Sequence, residues 1–167
     1  MVGDDSERAR EDRVPERHVG SHDRGWTGAE AWIFLSIGDA AGTGGAPLDR
    51  VIAAADSNNH AIPNVDEFSS AVGQLVGAGL VLASPDRYSL TDAGETLFQK
   101  INSVRRGHIT RFLDTAKKWK TQPPSRAAAV PWEVDPEHFR RSWELYHKWF
   151  EAWFERYKKR DPKNRSV

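Results

Sequence analysis

The chain has 167 residues, enough for one domain with a moderate core and appended elements. It has no cysteine, which excludes a disulfide framework and any thiolate metal site, and its 24 basic side chains balance 24 acidic ones. The opening stretch MVGDDSERAREDRVPERH is charged where a secretion signal needs apolar residues, and no run has bilayer-spanning length, so a cytoplasmic protein with no membrane partner is expected.

The neutral total hides a partition. Residues 1–25 carry five Arg against seven acids (−2), and residues 26–103 carry Arg50, Arg87 and Lys100 against nine acids (−6). Residues 104–167 carry sixteen bases against eight acids (+8), so an acidic middle precedes a basic end.

Residues 1–25 alternate Arg with Asp and Glu and have almost no large apolar side chain. They cannot bury enough surface to offset the entropy of ordering and are expected to form a disordered charged arm. His18 and His22 are four apart, but only Asp23 is a further ligand type nearby and the segment lacks a helical pattern, so no metal site is expected there.

From Trp26 the pattern becomes globular, and residues 26–103 form the expected domain. Thr27 and Glu30 make a capping box for a first helix to about Ala41, with Trp32, Ile33, Leu35 and Ile37 as its apolar surface. The run Gly42-Thr43-Gly44-Gly45 ends it. That run lacks the terminal Lys-Ser/Thr of a phosphate-binding loop and reads as an inter-helix loop. Pro47 suits the first position of a second helix carrying Leu48, Val51, Ile52 and Ala55, and the turn-favouring cluster Asp56-Ser57-Asn58-Asn59-His60 is expected to end it.

A third helix starts at the cap Asn64, with Glu67 completing a second capping box and Phe68, Val72, Leu75 and Val76 pointing inward. Gly79 fits a left-handed cap on which Leu80 folds back. The chain then alternates through Leu80–Ala83, turns at Ser84-Pro85-Asp86 and returns through Arg87–Leu90, a hairpin; Thr91 caps a fourth helix. The run Gly79-Leu80-Val81, followed by Tyr88-Ser89-Leu90-Thr91-Asp92-Ala93-Gly94, resembles the wing and wing-to-helix junction of MarR-like and PadR-like winged-helix regulators over about residues 27–103. The resemblance implies a mainly α fold: a winged helix-turn-helix with a two-stranded β wing and additional C-terminal helices.

Beyond Gly94, Leu97, Phe98, Ile101 and Val104 continue the helix until Arg105-Arg106-Gly107-His108, where Gly107 marks a break. Residues 104–120 are expected as a helical extension with Ile109, Phe112, Leu113, Ala116 and Trp119 as its stripe, and His108 as a packed or solvent-facing helix residue. Residues 121–135 form a Pro-rich linker. Residues 136–160 form an amphipathic aromatic helix, and 161–167 are a tail. In the helix Phe139, Trp143, Tyr146, Phe150, Trp153 and Tyr157 are spaced 4, 3, 4, 3, 4, a heptad seam that Trp149 and Phe154 widen. So large a face requires a cover: the chain's own domain, a second copy or another protein. A homodimer is expected, because related regulators dimerise through helices outside the reading head. Trp and Phe beside Lys and Arg also suit a membrane interface, but Glu137, Glu144, Glu151 and Glu155 oppose anionic lipid.

The resemblance implies a DNA-binding transcriptional regulator whose partner is double-stranded DNA, with the third helix in the major groove. The candidate contacts are Asn64, Ser69, Ser70 and Gln74 on that helix and Arg87 on the wing. The outward face of residues 64–78 has no basic residue, however, so phosphate neutralisation requires Arg105, Arg106 or the basic tail to fold toward it. The alternative is a winged-helix protein-interaction module that does not bind DNA. No nucleophile–base pair, carboxylate pair or metal set has a recognisable spacing, and Ser36 and Ser142 sit in no catalytic motif, so no catalytic, cofactor-binding or metal residue, no cofactor and no enzymatic activity are expected.

Overall fold

The computed structural model describes residues 25–125 and 129–160. The expected arm, apart from Gly25, its His18 and His22 pair, and the tail over 161–167 lie outside the described residues. The first helix, α1 (Gly28–Ala41), opens on the expected capping box: the Thr27 amide and hydroxyl both donate to the Glu30 carboxylate, at 2.6 and 2.7 Å. Every residue from Glu30 to Ile37 is buried, Phe34 included, so α1 lacks a solvent face along its middle and forms the axis of the molecule. Around it pack α2 (Leu48–Asn59), α3 (Val65–Gly77), an antiparallel hairpin of β1 (Val81–Ala83) and β2 (Tyr88–Leu90), α4 (Asp92–Asn102) and α5 (His108–Thr121). The last helix, α6 (Pro136–Arg160), crosses α2. The fold is thus mainly helical with one two-stranded sheet among the described residues, and none of its helices is long and apolar enough to cross a membrane.

Local signals set most boundaries. At the end of α3 the Leu80 amide donates to the Leu75 carbonyl at 3.0 Å and the Gly79 amide to Val76 at 2.9 Å, with Gly79 at φ 68°, a Schellman cap that turns the chain into β1. Thr91 then caps α4 by accepting the Gly94 amide at 3.0 Å, while its own hydroxyl donates to the Gly79 carbonyl at 2.7 Å. Gly94 must lack a side chain: a Cβ there would lie 2.0 Å from the Leu80 carbonyl oxygen. The Leu-Thr-x-x-Gly junction therefore clamps the start of α4 onto the backbone where the hairpin begins. The hairpin is also held from its other edge, because Ala46 and Tyr88 exchange backbone hydrogen bonds at 2.8 and 2.9 Å.

Three expectations need correction. Pro47 is the N-cap of α2 rather than its first helical residue, and α2 runs through the expected turn cluster to Asn59, with His60 left-handed behind it at φ 50°. The box at Asn64 is half made, since Asn64 Oδ1 accepts the Glu67 amide at 2.8 Å without a return bond. Along α5 the buried stripe is turned: Arg111, Phe112, Thr115, Ala116 and Trp119 face inward, while Ile109 and Leu113 are exposed.

One polar cluster accounts for the extended end of α2 and the turned stripe of α5. Arg111, 8% exposed, donates through Nη1 to Asp39 Oδ1 at 3.0 Å and to Asn102 Oδ1 at 2.8 Å, and through Nη2 to the other Asp39 oxygen and to Asn58 Oδ1 at 2.8 Å. Asn58 Nδ2 in turn donates to Asp39 Oδ2 at 2.9 Å and to Ser36 at 3.3 Å, and His108 Nδ1 lies 3.3 Å from Arg111 Nη2. The ring of Phe98 fills the gap that Gly38 leaves in α1 and carries the Arg111 guanidinium 5.9 Å from its centroid. One side chain thus joins α1, α2, α4 and α5. Replacing Arg111 with Ala strands a carboxylate and two amide oxygens, and the expected loss in urea unfolding is about 3–5 kcal/mol. The double variant Asp39→Leu, Arg111→Leu should recover part of that loss. A single variant within about 1 kcal/mol of the parent would show the cluster to be incidental.

Candidate functional site

The face expected to read a partner lies on α3 and the hairpin, and the structure covers much of it with the chain's own residues 129–134. The Val130 amide donates to the Gly73 carbonyl at 3.0 Å, and the Val134 amide to Ser69 Oγ at 3.2 Å. Trp132 follows the hairpin's edge with its ring 6.4 Å from Tyr88. The segment lies so close that a Cβ on Gly73 would sit 2.5 Å from the Val130 carbonyl oxygen. Glycine in the middle of a helix is unfavourable by about 1 kcal/mol against alanine. Its use here is the close approach of a second backbone.

Each expected contact residue has a defined place. Ser69 and Gln74 are buried, at 9% and 8% exposure, and Ser69 is bonded to Val134. Asn64 is exposed, but its side-chain oxygen caps α3. Ser70 is half-buried in the shallow hollow where residues 129–133 meet α3. Arg87 is exposed on the hairpin turn, and its Nη1 donates to the Gly44 and Gly45 carbonyls, both at 3.0 Å. The structure therefore brings Ser69 and Ser70 together beside the covering segment, buries Gln74 and directs Arg87 elsewhere. Arg140 lines a hollow beside Asn64 and Val65 but is held by Glu137 and Glu144 of its own helix. That pairing raises the Arg140 pKa and lowers that of Glu137, hydrogen bonding between them being the largest cause for each.

The aromatic seam of α6 divides in two. Phe139 packs on Phe68 with ring centroids 5.8 Å apart and is buried, and buried Tyr146 donates its hydroxyl to Asp56 Oδ2 at 2.5 Å. Trp143, Phe150, Trp153 and Tyr157 are exposed, as are Trp149 and Phe154 beside the seam. The domain covers Phe139 and Tyr146 and leaves Trp143 and the whole second half of the seam exposed. Exposed rings there stack on each other along the helix, Phe150 on Phe154 at 6.2 Å and Trp153 on Tyr157 at 5.5 Å.

Sequence reasoning missed the covering segment. Its signal, read backwards, is Gly73 in mid-helix together with Trp132 and Val134 in a stretch otherwise rich in Pro and Ala. Comparison of the chain with protein-family models, with curated proteins and with solved structures finds no match.

Two measurements test this arrangement. Gly73→Ala should lower stability by about 1–3 kcal/mol and speed amide exchange at Val130 and Val134 more than in α5. Unchanged exchange at both amides would contradict the close approach. The second concerns Tyr88, which is 0% exposed, packs on Phe68 at 5.3 Å and has no hydrogen-bond partner for its hydroxyl among the described residues. Burial first, and Asp86 second, push its pKa from 10.0 up to about 12. A pKa raised on folding contributes stability that is complete below pH 10 and lost as pH rises through about 12. Tyr88→Phe should flatten that alkaline loss and cost nothing at neutral pH, because it removes an unpaired buried group. Parallel denaturant midpoints of the two proteins across that range check it.

Proposed function

We propose that the chain is a winged-helix module that works through protein contacts and does not read duplex DNA, with a second copy of itself as the first partner. The winged-helix reading draws on the order of α1, α2, α3, hairpin and α4, on the Ala46 bridge that adds a third short segment to the hairpin, and on the Leu-Thr-x-x-Gly clamp. The observation that carries the choice of partner is the docking of residues 129–134 across α3. A helix that enters the major groove must present free polar side chains and nearby cations to base edges and phosphates. Here Ser69 is bonded to Val134, Gln74 is buried, and the cations at hand, Arg87 and Arg140, are bonded within the chain.

The bare half of α6 supplies the contact face. Its heptad spacing continues through Trp153 and Tyr157 past the edge of the domain, a geometry that a second helix with the same spacing can cover. Two readouts on the full chain test the proposal. Fluorescence anisotropy with labelled mixed-sequence duplexes at low salt should show no saturable binding; binding that weakens steeply with salt would restore the DNA reading. Sedimentation should give twice the chain mass for the parent and the single-chain mass for the Phe154→Ser, Tyr157→Ser variant. A parent that stays monomeric at high micromolar concentration would remove the second copy as partner.

A further inference from the structure

The structure points to a ligand site that shares Phe150 and Trp153 with the proposed contact face of α6: a groove between α2 and α6, of about 490 Å³, suited to a small organic cation such as a quaternary or methylated ammonium group. The volume is within the range of small-molecule sites. One wall is aromatic and continuous. The rings of Tyr146 and Trp149 are 6.3 Å apart, those of Tyr146 and Phe150 6.0 Å, and those of Phe150 and Trp153 5.9 Å. Trp149, Phe150 and Trp153 remain 45%, 37% and 44% exposed, so ring surface is free along the groove. The opposite wall is α2, whose Ala53 and Ala54 leave room, and whose Asp56 supplies charge.

The two carboxylates of the lining differ. Asp39 is already neutralised, bound by both Nη atoms of Arg111. Asp56 has no ion-pair partner among the described residues; the one hydrogen bond its carboxylate accepts among them comes from the neutral Tyr146 hydroxyl. It therefore places an uncompensated negative charge in a groove whose other wall offers the electron-rich faces of indole and phenyl rings. Both features attract a cation with an apolar surface, and neither attracts an anion. A weakly hydrated quaternary ammonium gives up less solvation than a primary amine on entering such a site. Arg50 also lines the groove, but its side chain is 61% exposed and its guanidinium lies 3.9 Å from Asp49, where a second small cavity opens. We propose that Asp56 and the Trp149–Trp153 wall together bind such a cation.

The test uses a matched pair of probes, choline and its neutral isostere 3,3-dimethylbutan-1-ol, titrated into the full-length chain and followed by tryptophan fluorescence and by the probe's methyl proton shifts. Choline should saturate, with its methyl protons moved upfield by the ring faces, and the alcohol should bind weaker by about tenfold or more. Asp56→Asn, which keeps an acceptor for Tyr146, should weaken choline by about tenfold without altering the alcohol, and the surface variant Trp153→Leu should weaken it by at least several-fold. Equal affinity for the two probes would overturn charge recognition. Absence of saturation with tens of millimolar choline, or an Asp56→Asn variant that binds as the parent does, would overturn the site. Asp56 lies on α2, outside the proposed contact face of α6, so the Asp56→Asn outcome lets the site and the proposed function fail separately.

Discussion

The Arg111 guanidinium is the point at which four helices agree on their positions. A planar fork with fixed donor directions engages Asp39 from α1 with both Nη atoms while also reaching Asn58 of α2 and Asn102 of α4. Apolar packing alone tolerates sliding and rotation of one helix on another. A bidentate ion pair at 8% exposure does not, because any displacement leaves desolvated charge without a partner. The turned stripe of α5 and the extension of α2 through a turn-forming sequence both follow from satisfying this cluster, and both expose or bury residues against their local preference.

Close backbone approach is the second constraint. Gly38 admits the Phe98 ring, Gly94 admits the Leu80 carbonyl, and Gly73 admits the Val130 carbonyl. Each glycine marks a place where α1, α4 or α3 lies nearer to its neighbour than a methyl group allows. The first two hold α4 to α1 and to the hairpin. The third attaches residues 129–134 to α3, which turns a surface that could meet a groove in DNA into an internal contact. The same segment delivers Val134 and the start of α6 to the core, so the covering of α3 and the placement of α6 are one event in the chain.

From there α6 continues for 25 residues, longer than the domain beneath it. Its seam is uniform in sequence but not in environment: Phe139 and Tyr146 find Phe68 and Asp56, and the rings beyond them pack on neighbours within α6. Beyond Tyr146 the stripe faces α2 across the cavity that contains Asp56 and then continues past it. The proposed ligand and the proposed second copy meet the same stripe of α6, with Phe150 and Trp153 common to both.

Helix starts and stops were legible in the sequence because their chemistry is local. The box at Thr27, the caps at Asn64, Thr91 and Asp135, the Schellman turn at Gly79 and the break at Gly107 each involve groups within a few residues of one another. The aromatic seam of α6 was legible for the same reason, as a period of the chain. The cluster around Arg111 was not, since Asp39 and Arg111 are separated by 72 positions and neither stands in a motif. Nor was the fate of the α3 face: Ser69, Ser70 and Gln74 have the pattern of an exposed polar surface, yet Ser69 and Gln74 are buried, Ser69 against the returning residues 129–134. The sequence by itself determined where most elements begin and end, the bounds of α2 excepted, because those are short-range matters of hydrogen bonding and periodicity. The tertiary structure decided which surfaces remain free, because that depends on which distant segment arrives first to satisfy a buried donor, fill the space above a glycine or cover a ring.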